Sequence, residues 1–122
     1  SQGATMSFYI GLAATPTPST ESLAGIVALS GYFPGGDSFD QWGNTEVVSS
    51  LPILQCHGRN DNVVPFFAAE ETHRQLEGLG AGTNLDFQAF YGLKHGSNRA
   101  ELQKVYNFIK RQLPPATSSR EL

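Results

Sequence analysis

The sequence predicts an α/β domain of about three parallel strands with flanking helices. Three observations carry this. Segments with helical and strand-like patterning alternate along the chain. The runs AGIVALS (24–30) and LPILQCH (51–57) are short and continuously apolar, as strands covered on both faces are. Glycine-rich or polar turns follow each strand candidate, where parallel sheets hand over to their helices.

The elements follow in order. In residues 2 to about 14, Met6, Tyr9, Ile10 and Ala13 recur at helical spacing and predict an apolar helix face. Thr15-Pro16-Thr17-Pro18-Ser19 ends that helix, because proline cannot continue the hydrogen-bond ladder. After the first strand, residues 31–50 spread Tyr32, Phe33, Phe39 and Trp42 among Gly31, Pro34, Gly35, Gly36 and Gly43, a long loop or broken helix. Pro52 is tolerable only at the start of the second strand. Residues 58–62 form a polar turn, and Pro65 suits the first turn of a helix reaching about Gly80, with Ala69, Thr72, Leu76 and Leu79 on one face. NLDFQAFY (84–91) alternates as a third strand. A turn at 92–97 leads into a last helix, about Asn98 to Leu113, whose apolar residues Leu102, Val105, Tyr106, Ile109 and Leu113 form one stripe. Residues 1–113 read as a single domain and 114–122 as a flexible tail, closed off by Pro114-Pro115.

Composition narrows the function classes. The chain has 122 residues, 39% hydrophobic and only 16% charged, which suits one compact domain. A net charge of −3 without any basic cluster argues against nucleic acid, since phosphate neutralisation needs Lys and Arg in numbers. The single cysteine, Cys56, precludes an internal disulfide and fits a reducing compartment, so a cytoplasmic location is expected. No apolar run approaches the roughly 20 residues of a transmembrane segment. The chain opens Ser1-Gln2-Gly3, and its only methionine, Met6, lies inside an apolar pattern. The first strand is as apolar as a central one, yet nothing here covers its far edge. Both features suggest half of a larger sheet.

Reactive residues of parallel sheets gather where strands end and helices begin. Three polar residues occupy such junctions: Ser1 opens the first helix, Asp61 follows the second strand and His95 the third. The order Ser, Asp, His, with separations of 60 and 34 residues, is that of α/β-hydrolase triads and not of the chymotrypsin or subtilisin type. Each residue has a structural reading as well. Ser1 would serve as an N-cap, Asp61 in RNDN as a turn residue, and His95 as part of a surface turn. His57 competes for the general-base role but precedes Asp61 by four residues. His73, among acidic and basic neighbours in the middle helix, reads as solvated. A His57/Asp61/His95 metal site lacks any dedicated spacing motif, and no metal or cofactor is expected. Cys56 reads as a buried strand residue, with nothing nearby to activate its thiol.

These residues also carry a family resemblance that covers nearly the whole chain. SQGATMS (1–7) resembles the nucleophile elbow of acyl-protein thioesterases and related carboxylesterases, G-F-S-Q-G-G-x-M-S. AGIVALSGYFP resembles their next strand, commonly LAGIVALS. LPILQCHGRNDNVVP is similar to ILQCHGxxDxxVP, which places the catalytic aspartate on Asp61. FQAFYGLKHGSNRAELQKVYNFIKRQLPP is similar to their closing strand and helix, which places the catalytic histidine on His95. AEETHRQLEGLG and ELQKVYNFI lean toward the lysophospholipase-like branch.

The resemblance implies the α/β-hydrolase fold, here only its C-terminal part, because family members are nearly twice this length. Their first half supplies the earlier strands, the glycine before the elbow and an H-G-x-G-D-like loop with one oxyanion donor. It implies hydrolysis of acyl esters or thioesters on an acylated protein, small ester or lysolipid. Ser1 is then the nucleophile, His95 the base and Asp61 its partner, with the Gln2 backbone N–H as an oxyanion donor at the helix N-terminus. Asn62 stands where the family often has proline, and Gly96 where it has a small or acidic residue. The aromatic residues of 31–50 are candidates for part of the acyl site or, equally, for a hydrophobic cap. The chain alone, lacking a donor and supporting strands, is expected to show little or no activity. Two other classes stay open: a non-catalytic α/β module that binds a partner or lipid through its strand edge, and an N-terminal-nucleophile hydrolase using the Ser1 amine.

Overall fold

The computed structural model describes residues 2–13, 23–35 and 38–113. Its elements are α1 (Gln2–Gly11), β1 (Ile26–Leu29), α2 (Phe39–Trp42), α3 (Thr45–Ser50), β2 (Ile53–Gly58), α4 (Phe66–Gly78), β3 (Leu85–Phe90) and α5 (Arg99–Gln112). The three strands form one sheet in the order β1-β2-β3, parallel throughout, with Ile26 opposite Ile53 and Ile53 opposite Leu85. The expected alternation of helix and strand therefore holds. The Pro-rich stop at 15–19 and the tail at 114–122 lie outside the described residues.

All six residues of β2 are buried, as the continuous apolar run required of a central strand. Its alternating side chains serve two cores. Ile53 faces a cluster with Ile26, Ala28, Phe8 and Leu12 of the N-terminal region, and Leu76 of α4. Leu54 and Cys56 face the other side, against Phe108 and Val105 of α5. Helices thus cover both faces of the sheet, with α5 alone on the second among the described residues. β3 is half-buried along its length and stands at the sheet margin. The Asn84 side-chain amide donates to the carbonyls of Val48 and Leu51 at 2.8 Å each, tying α3 to the start of β3.

Two expected helix faces are corrected. On α1 the buried residues are Ala4 and Phe8, continued by Leu12, whereas Met6, Tyr9 and Ile10 are about half exposed. The helix is apolar nearly all round, so spacing alone could not choose its inward side. On α5 the buried residues are Glu101 and Phe108, and Val105 of the expected stripe packs inward with them, whereas Leu102, Tyr106, Ile109 and Leu113 are exposed. The inward register runs through a glutamate, which an apolar-stripe argument passes over. The middle helix does bury Ala69, Thr72 and Leu76 as its spacing predicts.

The 31–50 region resolves as a broken helix, α2 and α3, and its aromatics mainly fill the core. Phe33 and Phe39 are buried, with ring centroids 5.8 Å apart, and Phe33 also lies 5.8 Å from Phe8. The Phe33 amide donates to Thr72 Oγ1 at 2.9 Å, and Thr5 Oγ1 donates to the Tyr32 carbonyl at 3.0 Å. The segment is pinned to both α4 and α1. Trp42 stacks on Tyr9 at 4.7 Å, and both line a shallow recess of about 390 Å³ with Pro34, Gly35, Ser38 and Gln41.

Candidate active site

The carboxyl ends of β2 and β3 carry two turns that grip one another. Past β2, the Arg59 amide donates to the Phe90 carbonyl at 2.9 Å and the Asn60 amide to the Leu93 carbonyl at 3.0 Å. In return, the Gly92 amide donates to Asn60 Oδ1 at 2.8 Å, at a residue whose φ of 74° favours glycine. The Arg59 guanidinium sits over Phe66 and Tyr91, 4.8 and 4.6 Å from the ring centroids. Gly58 permits the close approach: a Cβ there would lie 2.6 Å from the Leu93 carbonyl carbon and 2.8 Å from Lys94 O.

Asp61 and His95 meet across these turns. Asp61 Oδ1 accepts the amides of Val63 and Val64 at 2.8 and 2.9 Å, which closes the turn. Its Oδ2 lies 2.8 Å from His95 Nδ1. The turn role and the partner role therefore coexist, one oxygen to each. The Asp61 side chain has no exposed surface, while the His95 side chain retains 26% exposure. Burial would raise the Asp61 pKa, but hydrogen bonds from His95, Val64 and Val63, with the charge of His95, outweigh it and hold the carboxyl below its ordinary range.

Of the other sequence candidates, Gln2 opens α1 and Ser1 lies outside the described residues. His57, which competes in sequence for the base role, lies away from solvent at the end of β2. It is fully buried, with Nε2 2.7 Å from the Val64 carbonyl and 3.3 Å from Asp61 Oδ2. His57, Asp61 and His95 do converge, but Nε2 of His57 is committed to a carbonyl, and no group of three metal-ligating side chains forms a cation site among the described residues. His73 is less solvated than its neighbours suggest: it stacks on Phe87 at 5.0 Å and lies 3.4 Å from Glu77. Cys56 is buried as expected, and burial, with the charges of Glu101 and Asp86, pushes its thiol up to about 12.

Sequence reasoning missed Glu101. It occupies the first turn of α5, where Asn98 Oδ1 accepts its amide at 2.9 Å. An Asn-x-x-Glu opening reads as a capping arrangement with a solvated acid, yet this glutamate is fully buried. Only its place in the inward register of α5, with Val105 and Phe108, could have signalled this.

The pattern that defines the phospholipase/carboxylesterase family matches residues 1–113. The chain belongs to that family. Acyl-protein thioesterase 1 of Gibberella zeae is 31% identical over 116 residues, covering 94% of this chain and 46% of the relative. Lysophospholipase-like protein 1 of Mus musculus is 30% identical over 125 residues, covering 98% and 47%. The crystal structure of Zea mays acyl-protein thioesterase 2 matches with a TM-score of 0.79 at 24% identity, over 93% of this chain and 54% of that one. The fold is that of the α/β-hydrolases, and this phospholipase/carboxylesterase chain spans about half the length of the relatives it matches.

Proposed function

We propose that this chain carries the triad of a serine hydrolase that cleaves acyl esters and thioesters, with Ser1 as nucleophile, His95 as general base and Asp61 as its partner. The observation that carries the reading is the 2.8 Å contact of His95 Nδ1 with a buried Asp61 oxygen whose sister oxygen is held by two amides. A ring fixed this way keeps its proton on Nδ1 and leaves Nε2 to act as base. The names of the relatives, acyl-protein thioesterase and lysophospholipase-like protein, support an acylated protein, small ester or lysolipid as substrate.

In the first half-reaction His95 Nε2 takes the Ser1 hydroxyl proton as Oγ bonds to the acyl carbon. The oxyanion meets the Gln2 amide at the positive end of α1, the bond to the leaving thiol or alcohol breaks, and that group receives the proton from His95. Water then gives a proton to His95 and attacks the acyl-enzyme. The acid departs and the proton returns to Ser1. The remaining part of the hydrolase domain supplies a second oxyanion donor, whose loss costs about 10²–10³ in turnover, so the 122-residue chain alone turns over little. A cytoplasmic setting suits the single free thiol.

A fluorophosphonate probe tests this on the full-length protein. Ser1 is expected to be labelled, Ser1→Ala to abolish labelling, and Asp61→Asn to slow turnover by about 10⁴-fold, as the equivalent change does in a serine protease. Labelling that survives Ser1→Ala would overturn the assignment.

A further inference from the structure

Two buried titratable groups stand outside the mechanism: His57, against Asp61, and Glu101, at the start of α5. His57 Nε2 contacts the Val64 carbonyl, which can only accept, so that nitrogen carries a proton. His57 Nδ1 is then a bare lone pair in the neutral ring, or a second N–H in the cation, and it is buried with no hydrogen-bond partner among the described residues. Both carboxyl oxygens of Glu101 are equally buried, with the Ser97 hydroxyl their hydrogen-bonding neighbour and no close partner at ideal geometry. Buried polar groups are rarely left so. An unpartnered imidazole nitrogen and a buried carboxyl with acceptor capacity beyond the Ser97 hydroxyl are complementary, one able to donate where the other accepts, and the two influence each other electrostatically.

We propose that Glu101 and His57 hold one proton between them through a single bridging water molecule, making Glu101 a positioning residue for the Asp61 turn. Whichever partner carries the proton, the pair is neutral overall and the His57 ring is fixed with Nε2–H toward the Val64 carbonyl and Asp61 Oδ2. Val64 is also one of the two residues whose amides hold Asp61 Oδ1. The proton count at Glu101 thus reaches the carboxylate that orients His95. The groups facing the pair are few. Asp61 and the edge of the Phe66 ring, at 6.1 Å, face His57, and the Ser97 hydroxyl and the Cys56 thiol lie on the Glu101 side. Burial raises the Glu101 carboxyl against the opposing influence of Ser97 and His57, the direction a proton-retaining group needs.

The positioning role rests on the Asp61–His95 reading above; the proton sharing does not. The test is imidazole ¹⁵N and carboxyl ¹³C NMR titration of the full-length protein and its Glu101→Gln variant. Sharing predicts that the His57 Nδ1 and Glu101 Cδ resonances report the same titration steps, and that Glu101→Gln moves the His57 midpoint by about one pH unit or more. Independent midpoints, with His57 unmoved by the substitution, would overturn the proposal. The Gln variant preserves side-chain volume, and wild-type titration decides the matter if that variant fails to fold. Absence of fluorophosphonate labelling in the wild type would instead refute the hydrolase reading while leaving the titration result standing.

Discussion

Gly58 and Asp61 show how much of the site depends on single atoms. The turn that bears His95 packs directly on the Gly58 α-carbon, so Gly58→Ala must push Leu93 and Lys94 away. Overpacking of this kind costs about 1–3 kcal/mol. Urea unfolding should show that loss, together with slower probe labelling as His95 is displaced from Asp61. Asp61 also makes a pH prediction. Its folded pKa lies below that of the unfolded chain, so its contribution to stability is complete above about pH 4 and disappears as pH falls through the lower folded value. Wild type should therefore lose stability on acidification below pH 4 more steeply than Asp61→Asn, which keeps the two amide contacts at Oδ1. Equal acid sensitivity in urea titrations would contradict the assigned hydrogen bonds.

At the scale of elements, α5 is the helix whose register the sequence misled about. Its amphipathic stripe of Leu102, Tyr106, Ile109 and Leu113 faces outward, and Phe108 enters the small core with Leu54 and Cys56. The two faces should respond differently. Phe108→Ala is expected to cost about 3–5 kcal/mol, and Ile109→Gln in this chain about 0.5 kcal/mol or less, compared by thermal or urea unfolding. The reversed ranking would restore the apolar-stripe face. α5 also shows what local sequence does specify. Asn98 caps its start, and Lys110 and Arg111 sit in its last turn where the helix dipole favours them. Those boundaries needed no tertiary information, whereas the choice of inward face did.

For the molecule as a whole, exposed apolar surface and an open sheet edge dominate. Among the described residues β1 has no strand on its outer side, and apolar side chains of α1 and α5 stand exposed on opposite faces of the sheet. An open edge beside apolar surface invites association. The 122-residue chain should self-associate with rising concentration in sedimentation velocity, and Ile10→Lys should weaken that association, because Ile10 is half exposed beside the recess against β1. A monomer at all concentrations would mean these faces are adequately solvated. The chain spans about half the length of the relatives it matches.

The sequence by itself determined the alternating elements, the parallel sheet and the positions of Asp61 and His95. Each depends on local signals: apolar run length, proline and glycine punctuation, and polar residues placed just past strand ends. The contact between Asp61 and His95, 34 residues apart, was expected from chain order and is made by the grip of two turns on each other. Tertiary structure alone decided which sides of α1 and α5 turn inward, that the 31–50 aromatics largely fill core, and that His57 and Glu101 are both buried. Periodicity reports that a helix has an apolar side. Which side wins depends on the partner it packs against, and for Glu101 on the burial of an acid that composition assigns to water.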